Sequence, residues 1–336
     1  MMQAAIYGLE GLVPTEDEWS FFSDCDPAGF ILFRRNCETP EQLLRLTDAL
    51  RDISGRDDVP ILIDQEGGRV ARMRPPEWPA FPAAESFAKL YRTAPSSAIE
   101  AARSNARALA LMLRSAGVNV NALPLLDVRQ EGASDIIGDR ALGSEPMQVA
   151  ALGRAVLDGM AAAGVIGIIK HMPGHGRALV DSHKELPVVN ASADELETDL
   201  EPFERLASAP MGMTAHVVYE AWDAERPASM SPIVIRDIIR ERIGFDGLLM
   251  SNDIGMEALE GDFAARAAGV VAAGCDVALH CSGKMDEMVG VASAVPPLGA
   301  EGEARLARAM AGTRIEADDL DFAQEIAKRD LLLAQA

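Results

Sequence analysis

Val165-Ile166-Gly167-Ile168-Ile169-Lys170 is a short apolar run that ends on a charged side chain, and His171 follows it directly. A run of this length rich in Ile and Val reads as a strand buried on both faces, as strands are in a parallel sheet. Working outward, the same design recurs at residues 3–9, 29–33, 60–64, 118–127, 211–218, 247–251 and 276–280. Helical periodicity fills most of the gaps, over 41–53, 97–116, 146–163, 193–207, 232–243 and 256–273. Eight strands alternating with helices is the count for an α/β fold of one kind, the single (β/α)8 TIM-type barrel. A doubly wound open sheet competes, because strand order cannot be read from periodicity.

The ends of these runs are polar. Asp64-Gln65-Glu66 ends the third and Asp127 the fourth. Lys170-His171 ends the fifth, His216 lies in the sixth, Asn252-Asp253 ends the seventh and His280 the eighth. A barrel opens all its strand C-termini on one face, so these residues are expected to converge on one pocket. No linker, repeat or low-complexity tract divides the chain, and residues 1–336 read as one catalytic barrel domain. The stretch Arg74-Pro75-Pro76-Glu77-Trp78-Pro79-Ala80-Phe81-Pro82 is too rigid for a linker and reads as a long loop over one barrel end.

Composition narrows the function. With 31 basic against 52 acidic residues the net charge is -21. Phosphate binding needs clustered Lys and Arg, so no nucleic-acid partner is expected. The first ten residues lack a basic segment followed by an apolar run and a small-residue cleavage site, and no later segment is a bilayer-length apolar run. Neither export nor a membrane partner is expected. Cys25, Cys37, Cys275 and Cys281 show no C-x-x-C spacing and are expected as free thiols of a reducing compartment.

The densest chemistry is Lys170-His171-Met172-Pro173-Gly174-His175-Gly176, followed by Asp181-Ser182-His183-Lys184. His171 and His175 have the i, i+4 spacing of helical zinc ligands, but Pro173 and Gly174 break the helix that would align them, so no metal is expected. Gly174 and Gly176 lack the Lys-Ser/Thr pair of a phosphate loop. A plain turn with locally bonded histidines remains open for His175. Asp181, two residues from His183, can set the tautomer of that imidazole and let it carry a proton near neutral pH. Asp253 ends an apolar strand, where its carboxylate either attacks an anomeric carbon or caps the helix that follows.

Taken together, these residues resemble the K-H-F-P-G-H-G-x4-D-S-H signature of NagZ-type β-N-acetylglucosaminidases in glycoside hydrolase family 3. Asp64-Gln65-Glu66-Gly67-Gly68-Arg69-Val70-Ala71-Arg72, Ile137-Gly138-Asp139-Arg140, Met213-Thr214-Ala215-His216-Val217 and Gly244 to Asp253 are similar to further family blocks, in the family's order. The resemblance implies a single barrel without the second α/β domain of longer members. It implies Asp253 as nucleophile, with His183 as acid/base and Asp181 as its partner. Asp64, Arg72, Arg140, Lys170, His171 and His216 are implied as substrate-binding positions, and by their side-chain chemistry Arg140, Lys170 and His171 can donate to hydroxyl or acetamide oxygens.

By the same resemblance no cofactor is needed. The substrate is a small sugar or muropeptide, N-acetylglucosamine on 1,6-anhydro-N-acetylmuramic acid with or without peptide, cleaved with retention by a cytoplasmic monomer in peptidoglycan recycling. That leaving group is anionic, and Arg69, Arg72, Arg177 and Lys184 are expected to offset the acidic surface at the mouth. The alternative is a phosphorylase, in which a neutral His183 admits phosphate to the glycosyl-enzyme. Three departures from the family pattern stand out: Asn252 for Asp, Met172 for Phe, and Ile254-Gly255 for Leu-Ser.

Overall fold

Eight parallel strands pair in chain order and close into a barrel: β1 Gln3–Gly8, β2 Pro27–Leu32, β3 Ile61–Ile63, β4 Val120–Asn121, β5 Ile166–Met172, β6 Met211–Thr214, β7 Leu248–Asp253 and β8 Val277–His280. The ring closes where Ala5, Ile6 and Tyr7 of β1 stand in register with Ala278, Leu279 and His280 of β8. These facts come from a computed structural model that describes residues 1–180, 185–315 and 319–335. Every residue of β1, β2, β3 and β5 is buried, which accounts for their nearly unbroken apolar sequence. The open sheet is excluded by the β1–β8 pairing.

The outer layer consists of α1 Glu16–Cys25, α2 Pro40–Ser54, α3 Ala84–Thr93, α4 Pro95–Ser115, α5 Pro146–Ala162, α6 Ala193–Arg205, a π-helix at Val234–Arg242, α7 Phe263–Ala273, α8 Met285–Ala294, α9 Ala300–Met310 and α10 Phe322–Leu333. Local chemistry starts several of them. Thr15 and Glu18 form a capping box on α1, Ser192 and Glu195 another on α6, and Thr39 caps α2 with Pro40 in its first turn. Among the described residues, no helix is long and apolar enough to cross a membrane, and all four cysteines are free thiols.

Three elements differ from their sequence reading. The run 118–127 pairs as a strand only at Val120–Asn121, then touches β5 through a single Leu125–Lys170 bridge, because Pro124 has no N–H to give the ladder. The run 211–218 divides after Thr214, and Val218–Tyr219 pairs instead with Val188–Val189 in a separate two-stranded sheet. The helix expected over 256–273 begins at Phe263, where the Asp262 carboxylate accepts the Ala265 N–H. Asp253 therefore does not cap that helix.

At the strand N-termini an ionic network ties helix to barrel. Asp276 accepts from Arg240 at 2.8 Å and Arg305 of α9 at 2.9 Å, while Asp246 takes Arg305 and Arg308, each at 3.0 Å. The chemically interesting groups lie at the other end.

Candidate active site

A cavity of about 290 Å³ opens at the C-terminal ends of the strands, lined by Asp64, Glu66, Arg69, Arg72, Arg140, Lys170, His171, His175, Asn252 and Asp253. Apolar side chains, among them Phe33, Ile137, Met213 and Met256, complete its wall. The ends of strands 3, 5 and 7 thus supply Asp64, Glu66, Lys170, His171 and Asp253 and loops supply Arg69, Arg72 and Arg140, whereas Asp127, His216 and His280, expected at the same pocket, do not line it.

The charges form a row of alternating sign. Arg72 donates to Asp64 at 3.1 Å, and Lys170 to Asp64 at 3.1 Å and Glu66 at 2.7 Å. Arg140 grips Glu66 through two N–H···O contacts of 2.8 Å. Burying ions is costly unless each is paired, and here each carboxylate meets two cations. Burial alone would raise both carboxyl groups. Lys170 with Arg72 outweighs it at Asp64, and Lys170 with Arg140 at Glu66, so both are held below their ordinary values. The Phe33 ring, 5.1 Å from the Arg72 guanidinium carbon, helps to orient it.

Behind this row lies Asp127, fully buried. Its Oδ1 accepts the main-chain N–H groups of His171 at 3.2 Å and His175 at 2.7 Å, and its Oδ2 lies 2.8 Å from His171 Nδ1. One carboxylate therefore pins both ends of the His171–His175 segment. Burial lowers the His171 imidazole in spite of Asp127, with Lys170 and Arg140 adding to the effect. Burial beside His171 takes His175 down to about 4.

Asp253 is held at its backbone and at one carboxylate oxygen. Its Oδ1 accepts the N–H of Gly255 at 2.9 Å and of Cys281 at 3.2 Å. Its own N–H donates to Asn252 Oδ1 at 2.9 Å, and its carbonyl accepts from His216 Nε2 at 2.9 Å. Burial and the neighbouring Asp253 push the Cys281 thiol well up, so it stays protonated. Among the described residues Oδ2 receives no main-chain N–H, while the Cys281 thiol also bonds this carboxylate. His216, by contrast, offers nothing to a ligand. It is fully buried and does not line the cavity, and Ser229 donates to its Nδ1 at 2.6 Å. Its place is that of a brace on the β7 end, not of the substrate-binding residue expected from sequence.

The segment leading to Asp181 and His183 is anchored at its root. Tyr219 donates to the Gly174 carbonyl at 2.7 Å, and Arg177 reaches Asp199 of α6 at 2.6 Å. A Cβ on Gly176 would lie 1.9 Å from the Val128 carbonyl oxygen, so only glycine fits there. Asp181, His183 and Lys184 lie outside the described residues. The basic mouth expected from sequence is largely neutralised: Arg69 pairs with Asp139 at 2.7 Å, Arg72 with Asp64, and Arg177 with Asp199, away from the cavity lining.

Glu66 and Asn252 are cavity residues that the sequence reading assigned no role, although Glu66 stands two positions beyond Asp64 at a strand end. Asp127 was one of the converging residues without a function. Its signal was adjacency, since the run it ends neighbours the one that ends in Lys170-His171.

Residues 6–312 match the glycosyl hydrolase family 3 N-terminal domain. The chain is 39% identical over 284 residues to a beta-hexosaminidase of Methylococcus capsulatus, covering 82% of each, and 38% identical over 259 residues to one of Bordetella avium, covering 76% of this chain and 73% of that one. Native NagZ from Neisseria gonorrhoeae superposes with a TM-score of 0.88 at 30% identity, covering 100% of this chain and 98% of that one. With a closed barrel, a charged cavity at its C-terminal face and these likenesses in agreement, the chain belongs to glycoside hydrolase family 3, where its kin are the NagZ-type β-hexosaminidases.

Proposed function

We propose that this glycoside hydrolase is a retaining β-N-acetylhexosaminidase acting through a covalent glycosyl-enzyme on Asp253. Asp253 Oδ2 attacks the anomeric carbon while the aglycone oxygen leaves with a proton from the His183 imidazolium, itself oriented by Asp181. Water that gives its proton to neutral His183 then breaks the Asp253 ester with net retention. Residues 1–336 act as one catalytic domain. Terminal N-acetylglucosamine is removed from muropeptides in the cytoplasm, for peptidoglycan recycling, by a monomer.

The observation that carries this reading is the presentation of Asp253. Two backbone N–H groups occupy Oδ1, while the residue lines the same cavity as Asp64, Lys170, Arg140 and His171. A carboxylate held in this way is preorganised for in-line attack on a sugar that the other four orient. Trapping with an activated fluoro-N-acetylglucosaminide, followed by peptide mass mapping, is expected to label Asp253. Labelling of another carboxylate would remove the nucleophile assignment, and sugar 1-phosphate as main product in phosphate buffer would replace hydrolysis by phosphorolysis.

A further inference from the structure

We propose that Asp127 locks His171 into the tautomer whose Nε2 is a bare acceptor, so that His171 selects for a sugar hydroxyl acting as hydrogen-bond donor. This rests on the hexosaminide reading above and reverses the polarity expected from sequence, where His171 was to donate.

The argument follows from proton counting. An ionised carboxylate only accepts. Asp127 Oδ1 is already occupied by two main-chain N–H groups, and Oδ2 faces His171 Nδ1 at 2.8 Å, so the proton between them belongs to Nδ1. Asp127 itself stays ionised: burial would raise it, but His171 and the His175 amide outweigh that. The groups around the ring, Lys170, Arg140 and His175, are cationic or neutral, and with burial they keep the imidazole from taking a second proton. Nε2 therefore carries a lone pair. It belongs to a cavity-lining side chain and has no hydrogen-bond partner among the described residues. The cations of the row are donors, so a hydroxyl that accepts from one of them can donate its own hydrogen bond to Nε2. Hydroxyl recognition then has direction.

Asp127→Asn tests this with little change of shape. The amide oxygen can keep both main-chain contacts, while its NH2 group replaces Oδ2 and forces Nδ1 to accept. The ring must then carry its proton on Nε2, as in the tautomer error known when a histidine loses its carboxylate partner. The first measurement is ¹⁵N NMR of protein labelled in histidine at pH 7.5. Native protein is expected to show His171 protonated at Nδ1 and bare at Nε2, and Asp127→Asn the reverse. A proton on Nε2 of the native protein overturns the proposal.

The second measurement compares kcat/KM for 4-nitrophenyl N-acetylglucosaminide with its 3-, 4- and 6-deoxy and fluoro analogues. One position is expected to cost on the order of 10- to 100-fold in the native enzyme, because the buried acceptor is left unpaired. Fluorine, which cannot donate, should cost as much as hydrogen there. In Asp127→Asn the ring presents an N–H instead, so at that position the fluoro analogue, which can still accept, should lose less than the deoxy one while the other positions keep their ratios, which a merely structural defect would not do. Fluorine restoring the rate, or unchanged ratios in the variant, would refute the assignment. If Asp127→Asn does not fold, the native NMR and fluoro series decide alone. Inactivity towards every hexosaminide would count against the reaction and not against the histidine.

Discussion

Glu66 shows how much one side chain carries in this site. It is the shared counter-ion of Lys170 and Arg140, two of the groups proposed to hold the sugar. Glu66→Gln keeps the shape and removes the charge, leaving two buried cations with one fewer partner. The expected outcome in steady-state kinetics is a kcat/KM reduced on the order of 100-fold, the scale of a broken buried pair. A variant within twofold of native would show that Asp64 alone suffices. Asp199 makes a different case. Burial, against the pull of Arg177, raises its carboxyl to about 6. A raised folded-state value means that the protonated acid fits best, so its contribution is full below about pH 4 and is lost as pH rises through 6. Asp199→Asn cannot ionise, so the fall in stability that native protein owes to this carboxyl between about pH 4 and 7 should be absent from the variant. Urea melts at several pH values test this, and parallel stability curves would count against it.

Among elements, α7 records both what sequence reading reaches and where it fails. Its apolar periodicity is visible, but Met256, Ala258 and Leu259 continue the apolar pattern and put the expected start seven residues ahead of Phe263. They are buried in a loop instead. The true boundary depends on Asp262, whose carboxylate accepts the Ala265 N–H at 2.8 Å. Asp262→Ala should cost about 1 kcal/mol in urea unfolding, with activity on a chromogenic glycoside retained. Loss of far more would mean that the helix start also supports the Asp253 loop, which Arg266 of α7 already touches through the Ile254 carbonyl at 3.0 Å. The helices α1, α3, α8, α9 and α10 went unread. They are short or polar and are held by packing on the barrel, which local periodicity does not record. The strand ends were legible for the opposite reason: a charged residue closing a buried apolar run marks where a strand leaves the core, in a barrel as in an open sheet. His216 misled because the same sequence pattern serves a brace as well as a ligand, and only the Ser229 and Asp253 contacts separate the two.

For the molecule as a whole, the net charge of -21 now weighs differently. The arginines expected to offset it are paired with Asp139, Asp64 and Asp199. With these arginines paired, the anionic muropeptide proposed as substrate should feel the overall charge of -21, and raising ionic strength from about 10 to 200 mM, which shortens the screening length to within about 10 Å, should increase its kcat/KM severalfold. The neutral 4-nitrophenyl substrate should hardly respond. A fall for the anionic substrate would point to free cations at the mouth. The barrel itself was the most legible level, since eight buried runs leave few other solutions, although its closure was beyond the reach of periodicity. That closure has its own consequence. The seal is made by the first strand of the chain against the last, Ala5 to Ala278. Clipping off residues 1–8 would leave β2 and β8 each with an unpaired edge facing a gap one strand wide, an invitation to sticky self-association. A synthetic peptide of Gln3–Gly8 should slot into that gap and suppress the clumping, which light scattering would follow.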